Sequence, residues 1–212
     1  MKRLAIIGAG DLGQLIAYHA AQTGQFKVIG YYDDWASHGA RFQEAQVLGN
    51  LRSITPSFHA GIFDVLMIGI GYNHMAFRKS VFGQHAGTIP FGTLVHPSAY
   101  IDSSVQVGEG TFVLPGCVVD AHAVLGQNVL LNAAAVVAHD TTIGAHSFLA
   151  PSASIAGKTN IGECCIIGIN STIIDNLSIA PGTRIAAGAV VTKSIETAGL
   201  YAGVPAQIKK VF

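Results

Sequence analysis

Residues 119–142 read VDAHAV LGQNVL LNAAAV VAHDTT when broken into sixes, and each six opens on an aliphatic side chain: Val119, Leu125, Leu131 and Val137. The same step taken backwards meets Val95, Ile101, Val107 and Val113. Taken forwards it meets Ile143, Leu149, Ile155, Ile161, Ile167, Ile173, Ile179, Ile185 and Val191. All 17 positions hold Val, Ile or Leu, with no insertion. In a chain that is half apolar, such a run arises by chance about once in 10⁵ trials, so counting alone establishes a repeat.

Four places after each aliphatic the residue is mostly small or branched, as at Ala99, Thr111, Cys117, Ala123, Ala135, Ser147 and Ser171. One place after it, Gly108, Gly126, Asn132, Gly144, Gly162 and Gly168 suit a chain that bends at short intervals. One inward aliphatic per flat, a small neighbour and a corner every six residues describe a three-sided coil of 18 residues. Stacked at strand spacing, 17 hexads form a parallel β-helix roughly 27 Å tall. The period leaves the hand of the coil open. The hexads resemble the signature of left-handed β-helix acyltransferases, and that resemblance implies a left hand. A structural or adhesive solenoid is the bland alternative, but those run longer and are not joined to an α/β segment.

Residues 1–92 have a different character. Arg3 to Gly8 reads as a strand, and Asp11 to Thr23 as a helix with Leu12, Leu15, Ile16 and His19 at helical spacing. Strands are expected at Phe26 to Tyr32, Asp64 to Ile70 and Ile89 to Val95, and a second helix at Met75 to His85. The expected organisation is a Rossmann-like βαβ domain over 1–92 and the β-helix over 93–212. The first turn, Gly8-Ala9-Gly10-Asp11-Leu12-Gly13, satisfies G-x-G-x-x-G between strand and helix, and Asp33 and Asp34 follow about 20 residues later. Glycines there let phosphates approach a helix N-terminus, and a carboxylate takes ribose hydroxyls. NAD would need the second half of a dinucleotide fold. Any nucleotide carrying a diphosphate is served by the same physics, and a ligand-free tight turn is the other reading.

Composition excludes several classes. Lys+Arg 12 against Asp+Glu 12 leaves no electrostatic reason for a nucleic acid or anionic membrane partner. The apolar runs, such as Val65 to Ile68, are too short to span a bilayer. Met1-Lys2-Arg3 before Leu4 to Ile7 superficially resembles a signal peptide, but the run breaks at Gly8 and reads better as a strand. Cys117, Cys164 and Cys165 are odd in number and two are adjacent, which is no disulfide framework. A reducing, cytoplasmic setting is expected.

Of nine histidines, four fall in the repeat: His96, His122, His139 and His146. A zinc hydratase of the γ-carbonic anhydrase type also uses this kind of helix, with three His ligands. Column arithmetic disfavours it, because His122 plus 18 is Asp140, and His139 and His146 fall at different hexad offsets. His139 reads better as a general base. It lies two after the inward Val137, where a side chain faces out or sits on a corner, and Asp140 beside it can orient the imidazole. One coil on is Gly157, where a missing side chain leaves room for a thioester carbonyl to meet a backbone N–H.

Taken together, the βαβ segment, His139-Asp140, Ile166-Ile167-Gly168-Ile169-Asn170-Ser171 and the closing Tyr201-Ala202-Gly203-Val204-Pro205-Ala206 resemble the bacterial PglD-like sugar acetyltransferases, with the sialic acid O-acetyltransferase NeuD as a relative. The resemblance implies transfer of acetyl from acetyl-CoA to the 4-amino group of a nucleotide-linked 4-amino-4,6-dideoxy sugar, in making surface glycans. It implies His139 as base with Asp140 as partner, and Gly157, Ile169, Ala187 and Gly188 along the CoA groove. Gly10, Asp11, Leu12, Asp33, Asp34 and Gly71 would hold the nucleotide sugar, no metal would be needed, and the assembly would be a homotrimer. Sugar O-acetylation is the alternative outcome. Two departures stand out. The family often has Ser-Gly-His where this chain has Gly10-Asp11-Leu12, and it often has a CoA-contacting His nine after the base, where this chain has Phe148, with His146 seven after.

Overall fold

The computed structural model of the protein describes residues 1–42 and 44–212. The chain divides into two compact units, Met1–Leu94 and Val95–Phe212.

The first unit is built on a five-stranded sheet. Its elements are β1 (Lys2–Ile7), α1 (Asp11–Thr23), β2 (Phe26–Tyr32), β3 (Arg41–Phe42), β4 (Ala45–Gly49), α2 (Ile54–His59), β5 (Val65–Ile68) and α3 (Met75–His85). The strand order is β3-β4-β2-β1-β5. Pairing is parallel except for the short antiparallel β3–β4 step. Because β1 has β2 on one side and β5 on the other, the connections diverge above β1, the topological switch point where such sheets bind ligands. Both faces of the sheet are covered, so β1 and β5 read as continuous apolar runs rather than alternating ones. Ala5, Ile7, Leu66 and Ile68 pack with Val81 and Phe82 of α3. On α1 the buried side is Gly13, Ile16, Ala17, His19 and Ala20. Leu12 and Leu15, expected on the inner face, are only partly covered.

The chain differs from expectation at two places here. Residues 41–59 contain β3, β4 and α2, which no periodicity announced. The expected strand from Ile89 to Val95 is interrupted. Phe91 makes an isolated bridge to Leu66, and only Leu94–Val95 is a strand, in a sheet of the repeat. Pro90, lacking an N–H, cannot continue a ladder of donors.

The second unit is the left-handed parallel β-helix. Two-residue strands pair in parallel with a register of 18, as in Val119↔Val137, Leu125↔Ile143 and Leu131↔Leu149. From Val113 to Val191 every sixth aliphatic is at most 3% exposed, while Val95, Ile101 and Val107 are partly covered. The small positions also point inward, and where they carry a hydroxyl it donates to a backbone carbonyl, of its own coil at Ser171 and Thr183 and of the next coil at others. Thr111 Oγ1 donates to Gly126 O at 2.9 Å, and Ser147 Oγ donates to Gly162 O at 3.0 Å.

The corners fall elsewhere than the glycines suggested. From Gly110 to Gly188 the residue with left-handed φ is three after the aliphatic. It recurs every six residues from His122 through Asn128, Ala134, Asp140 and His146 to Asn176. Gly108, Gly126, Gly144 and Gly162, one after the aliphatic and one coil apart, serve close approach instead. A Cβ on them would lie 2.5–2.7 Å from a backbone nitrogen of the next coil. The last parallel strand, Gly199–Ala202, pairs with Arg184–Ile185 and then antiparallel with Gln207–Val211, which closes that sheet.

Candidate active site

Asp140 holds one of the left-handed corner positions, at φ 57°. That corner turns the carboxylate back on its neighbour, and His139 Nδ1 lies 2.9 Å from Asp140 Oδ2. The pair sits at the surface, with side chains 52% and 46% exposed. The contact with His139 is the main reason the Asp140 carboxyl lies below its ordinary value, with smaller help from the charges of His122 and Lys158, one coil to either side. An ionised carboxylate accepts only, so Nδ1 carries the proton and Nε2 keeps its lone pair. That tautomer leaves Nε2 facing away from Asp140 as a proton acceptor.

Gly157 lies one coil on, and a Cβ there would come within 2.7 Å of Nε2 and 2.8 Å of Cε1 of His139. The space left by the glycine is therefore occupied by the imidazole itself, rather than kept open for a carbonyl.

The remaining residues expected along the CoA groove lie on a different edge. Ile169 follows Ile167 by two, Ala187 is one coil further, and Gly188 takes the left-handed corner and donates to Ile169 O at 2.8 Å. Ile169, Ala187 and Gly188 are all exposed. The sheet holding Val136–Val137 separates their edge from that of His139, so the coil itself does not bring the two groups together. His146 is on the third edge, buried, with Nδ1 3.0 Å from Asn128 Nδ2. It does not share a corner with His139. Phe148 projects outward from the flat between Leu130 and Ile166, partly covered. Among the described residues no three His, Cys, Asp or Glu side chains are grouped as metal ligands.

Cys117 and Cys165 fill the small inward positions, and burial raises both thiols, Cys165 to about 11. A thiol so protonated is no nucleophile at neutral pH. Cys164 takes a corner, at φ 56°.

In the first unit the three fingerprint glycines separate by role. Gly8 has φ 96°, and a Cβ on Gly13 would collide with Gly8 O at 2.0 Å, so both are required by packing. Gly10, at the N-cap of α1, would meet nothing within 4 Å. Packing does not demand a glycine there, and the helix N-terminus is left open beside it. Asp11 follows, exposed, in the first helical turn, with Leu12 partly covered beside it.

The two aspartates after β2 also separate. Asp33 Oδ2 accepts from Ala9 N at 2.9 Å, and its Oδ1 accepts from Trp35 N at 2.8 Å and Ala36 N at 2.9 Å. Burial would raise this carboxyl, but the three backbone donors outweigh it and hold it below its ordinary value. Asp33 is thus the brace of the loop. Among the described residues, Asp34 accepts through Oδ1, from Leu51 N at 2.9 Å.

Asp34 also lies where two pockets meet. One, of about 520 Å³, is lined by Asp33, Asp34, Ala36, His38, Leu48, Gly49, Asn50 and Ser53. The other, of about 670 Å³, is lined by Asp34, Trp35, Ile70, His74 and Phe77. Gly71 caps the single turn Tyr72–His74 that leads into α3. Arg78, which no sequence pattern marked, is buried and braces this side, donating to Ile68 O at 2.6 Å and Ile70 O at 3.0 Å. Burial lowers its guanidinium to about 10.

Residues 3–84 match the family described as the PglD N-terminal domain. The acetyltransferase domain of PglB from Neisseria gonorrhoeae FA1090 superposes with a TM-score of 0.90 at 29% identity, covering 98% of this chain and 100% of that one. PerB from Caulobacter crescentus, solved with CoA and GDP-perosamine, gives 0.90 at 27% identity, covering 99% and 98%. A histidine-to-alanine mutant of GDP-perosamine N-acetyltransferase from the same organism, also with CoA and GDP-perosamine, gives 0.91 at 27%, covering 99% and 97%. No curated protein sequence matches the chain significantly.

Proposed function

We propose that this PglD-like chain is an acetyl-CoA-dependent N-acetyltransferase acting on the amino group of a nucleotide-linked amino sugar, a 4-amino-4,6-dideoxy hexose, for glycan biosynthesis. The observation that carries it is the Asp140–His139 pair, with Nε2 as the open lone pair, on a chain that matches CoA- and GDP-perosamine-bound structures along almost its whole length.

The chemistry follows from those atoms. The neutral sugar amine attacks the thioester carbonyl of acetyl-CoA, and an N–C bond forms. His139 Nε2 takes the proton the nitrogen must lose, while Asp140 steadies the imidazolium that results. The tetrahedral intermediate collapses with cleavage of the C–S bond. The CoA thiolate leaves and takes up a proton, which His139 is placed to return. The products are an amide and free CoA, and no metal or redox step is required.

The nucleotide part would be held by the first unit, with the diphosphate at Gly10 and Asp11 on the α1 N-terminus, Leu12 and Gly71 alongside, and Asp34 on the nucleoside. Gly157 would seat the base, and Ile169, Ala187 and Gly188 would line the CoA arm. Since the last three lie on a different edge from His139, one CoA touching both groups needs a second copy beside the first. A homotrimer of three-sided prisms supplies that arrangement three times. The cytoplasm suits a chain in which no disulfide joins the three cysteines.

The test is a panel of UDP-, dTDP- and GDP-linked amino sugars with acetyl-CoA, followed by thiol release and mass of the product. Release that depends on the sugar amine supports the reading. Release with hydroxyl acceptors only would turn it to O-acetylation, and no release with any member would overturn it.

A further inference from the structure

The chain has a single tryptophan, Trp35, and the residue is 83% exposed. Its backbone is nonetheless fixed, because Asp33 Oδ1 accepts from both Trp35 N and Ala36 N. The indole meets Phe77 of α3 edge-on, with ring centroids 6.4 Å apart at 72°. With Ile70 and His74 the two rings line the larger pocket at Asp34. Its walls come from the segments after β2 and after β5, the strands on either side of β1. The pocket therefore spans the carboxyl end of β1, at the switch point, where the Gly10 turn begins.

A nucleotide sugar has a polar half and a less polar half joined by the diphosphate. The smaller pocket, with Asn50, Ser53 and backbone groups around Asp33 and Asp34, is on the β2–β4 side and suits the nucleoside. The aromatic pocket shares Asp34 with it and extends across the end of β1 to the β5 side. Resting on the function proposed above, we infer that the hexose itself lies on Trp35 and Phe77, with its C–H face and 6-methyl group against the rings. Aromatic rings bind such C–H faces at low entropic cost, since each has only two side-chain torsions. Trp35 is thus a residue that selects for a deoxy sugar over one bearing a 6-hydroxyl.

The lone tryptophan supplies its own readout. Titrating the wild-type protein with UDP-, dTDP- and GDP-linked 4-amino-4,6-dideoxyhexoses should change Trp35 emission, whereas free UDP, dTDP and GDP at saturation should leave it nearly unchanged. Trp35→Ala and Phe77→Ala should each raise KM for the sugar nucleotide about tenfold, with KM for acetyl-CoA and Ki for the free nucleotide fixed. An equal emission change, or an equal loss, with the free nucleotide would place the base or ribose on Trp35 and overturn the inference. Turnover with flat emission and unchanged KM in both variants overturns it as well. An emission change without any turnover would leave the sugar pocket standing and remove acetyl transfer. Neither turnover nor emission change removes both.

Discussion

The imidazole of His139 lies over Gly157, so close that a methyl group on Gly157 would sit 2.7 Å from Nε2. Residues one coil apart are stacked by the 18-residue register, and only a glycine in the second coil lets the ring lie flat along the edge. The position of the ring thus depends on an absent side chain. Gly157→Ala should therefore fold, because Gly157 does not have a left-handed φ, yet swing the ring away. Loss of alignment of about 1 Å costs on the order of 10²-fold, so kcat should fall roughly 10–100-fold with an unchanged melting temperature. Wild-type kcat in a folded Gly157→Ala protein would show that the ring position does not matter.

His139→Ala should lower kcat by roughly 10²–10⁴, the usual range for a general base, with little change in acetyl-CoA affinity. Asp140→Asn should cost less, since the ring remains. Single-turnover kinetics with saturating substrates measure both, and turnover near wild type in His139→Ala removes the proposed base.

Asp34→Ala should raise KM for the sugar nucleotide roughly 10- to 150-fold, the value of a charge-assisted hydrogen bond of about 1.5–3 kcal/mol. KM for acetyl-CoA should not move. Asp33→Asn should behave differently, because that carboxylate braces Ala9, Trp35 and Ala36. Its folded-state value is depressed, so its stabilisation is fully present above the unfolded value of about 3.9 and is lost as pH falls through the lower folded value. Denaturant melts should show wild type above Asp33→Asn at pH 6 and the gap closing toward pH 3. A gap that persists or widens in acid contradicts the brace.

Cys165→Ala should keep its rate and lose roughly 1 kcal/mol, about the effect of deleting one buried heavy atom. With the Cys165 thiol at about 11 and buried, disulfide reagents should not label it at pH 8 in the folded protein. A folded Cys165→Ala variant without turnover would instead call for a thioester on the enzyme.

Because Ile169, Ala187 and Gly188 lie on another edge from His139, two variants that are each inactive should complement in a mixed assembly. Gly188→Trp blocks one edge and His139→Ala disables the other. After unfolding and refolding together, the mixture should regain a fraction of wild-type activity, and light scattering should give three copies. A monomer at assay concentration, or no recovery on mixing, would place the whole site in one chain.

Much of this protein is legible in its sequence because a solenoid couples structure to a short local period. Val119 and Val137 pair because each coil takes 18 residues, and the same register places Gly157 beside His139. The G-x-G-x-x-G turn and the bounds of α1 and α3 are equally local, set by side-chain pattern within one or two turns. What fills a space is not local. The register could not say that the ring, rather than a substrate carbonyl, occupies the room above Gly157, nor that Gly126 and Gly144 serve coil-to-coil contact while the corners fall on His122 and Asp140. Nor could any period distinguish Asp33 from Asp34, since that depends on Ala9 N–H reaching across from the end of β1. The aromatic pocket is the extreme case. Trp35 and Phe77 belong to segments that follow different strands, and only the order of those strands in the sheet, decided by packing on both faces, brings the two rings together.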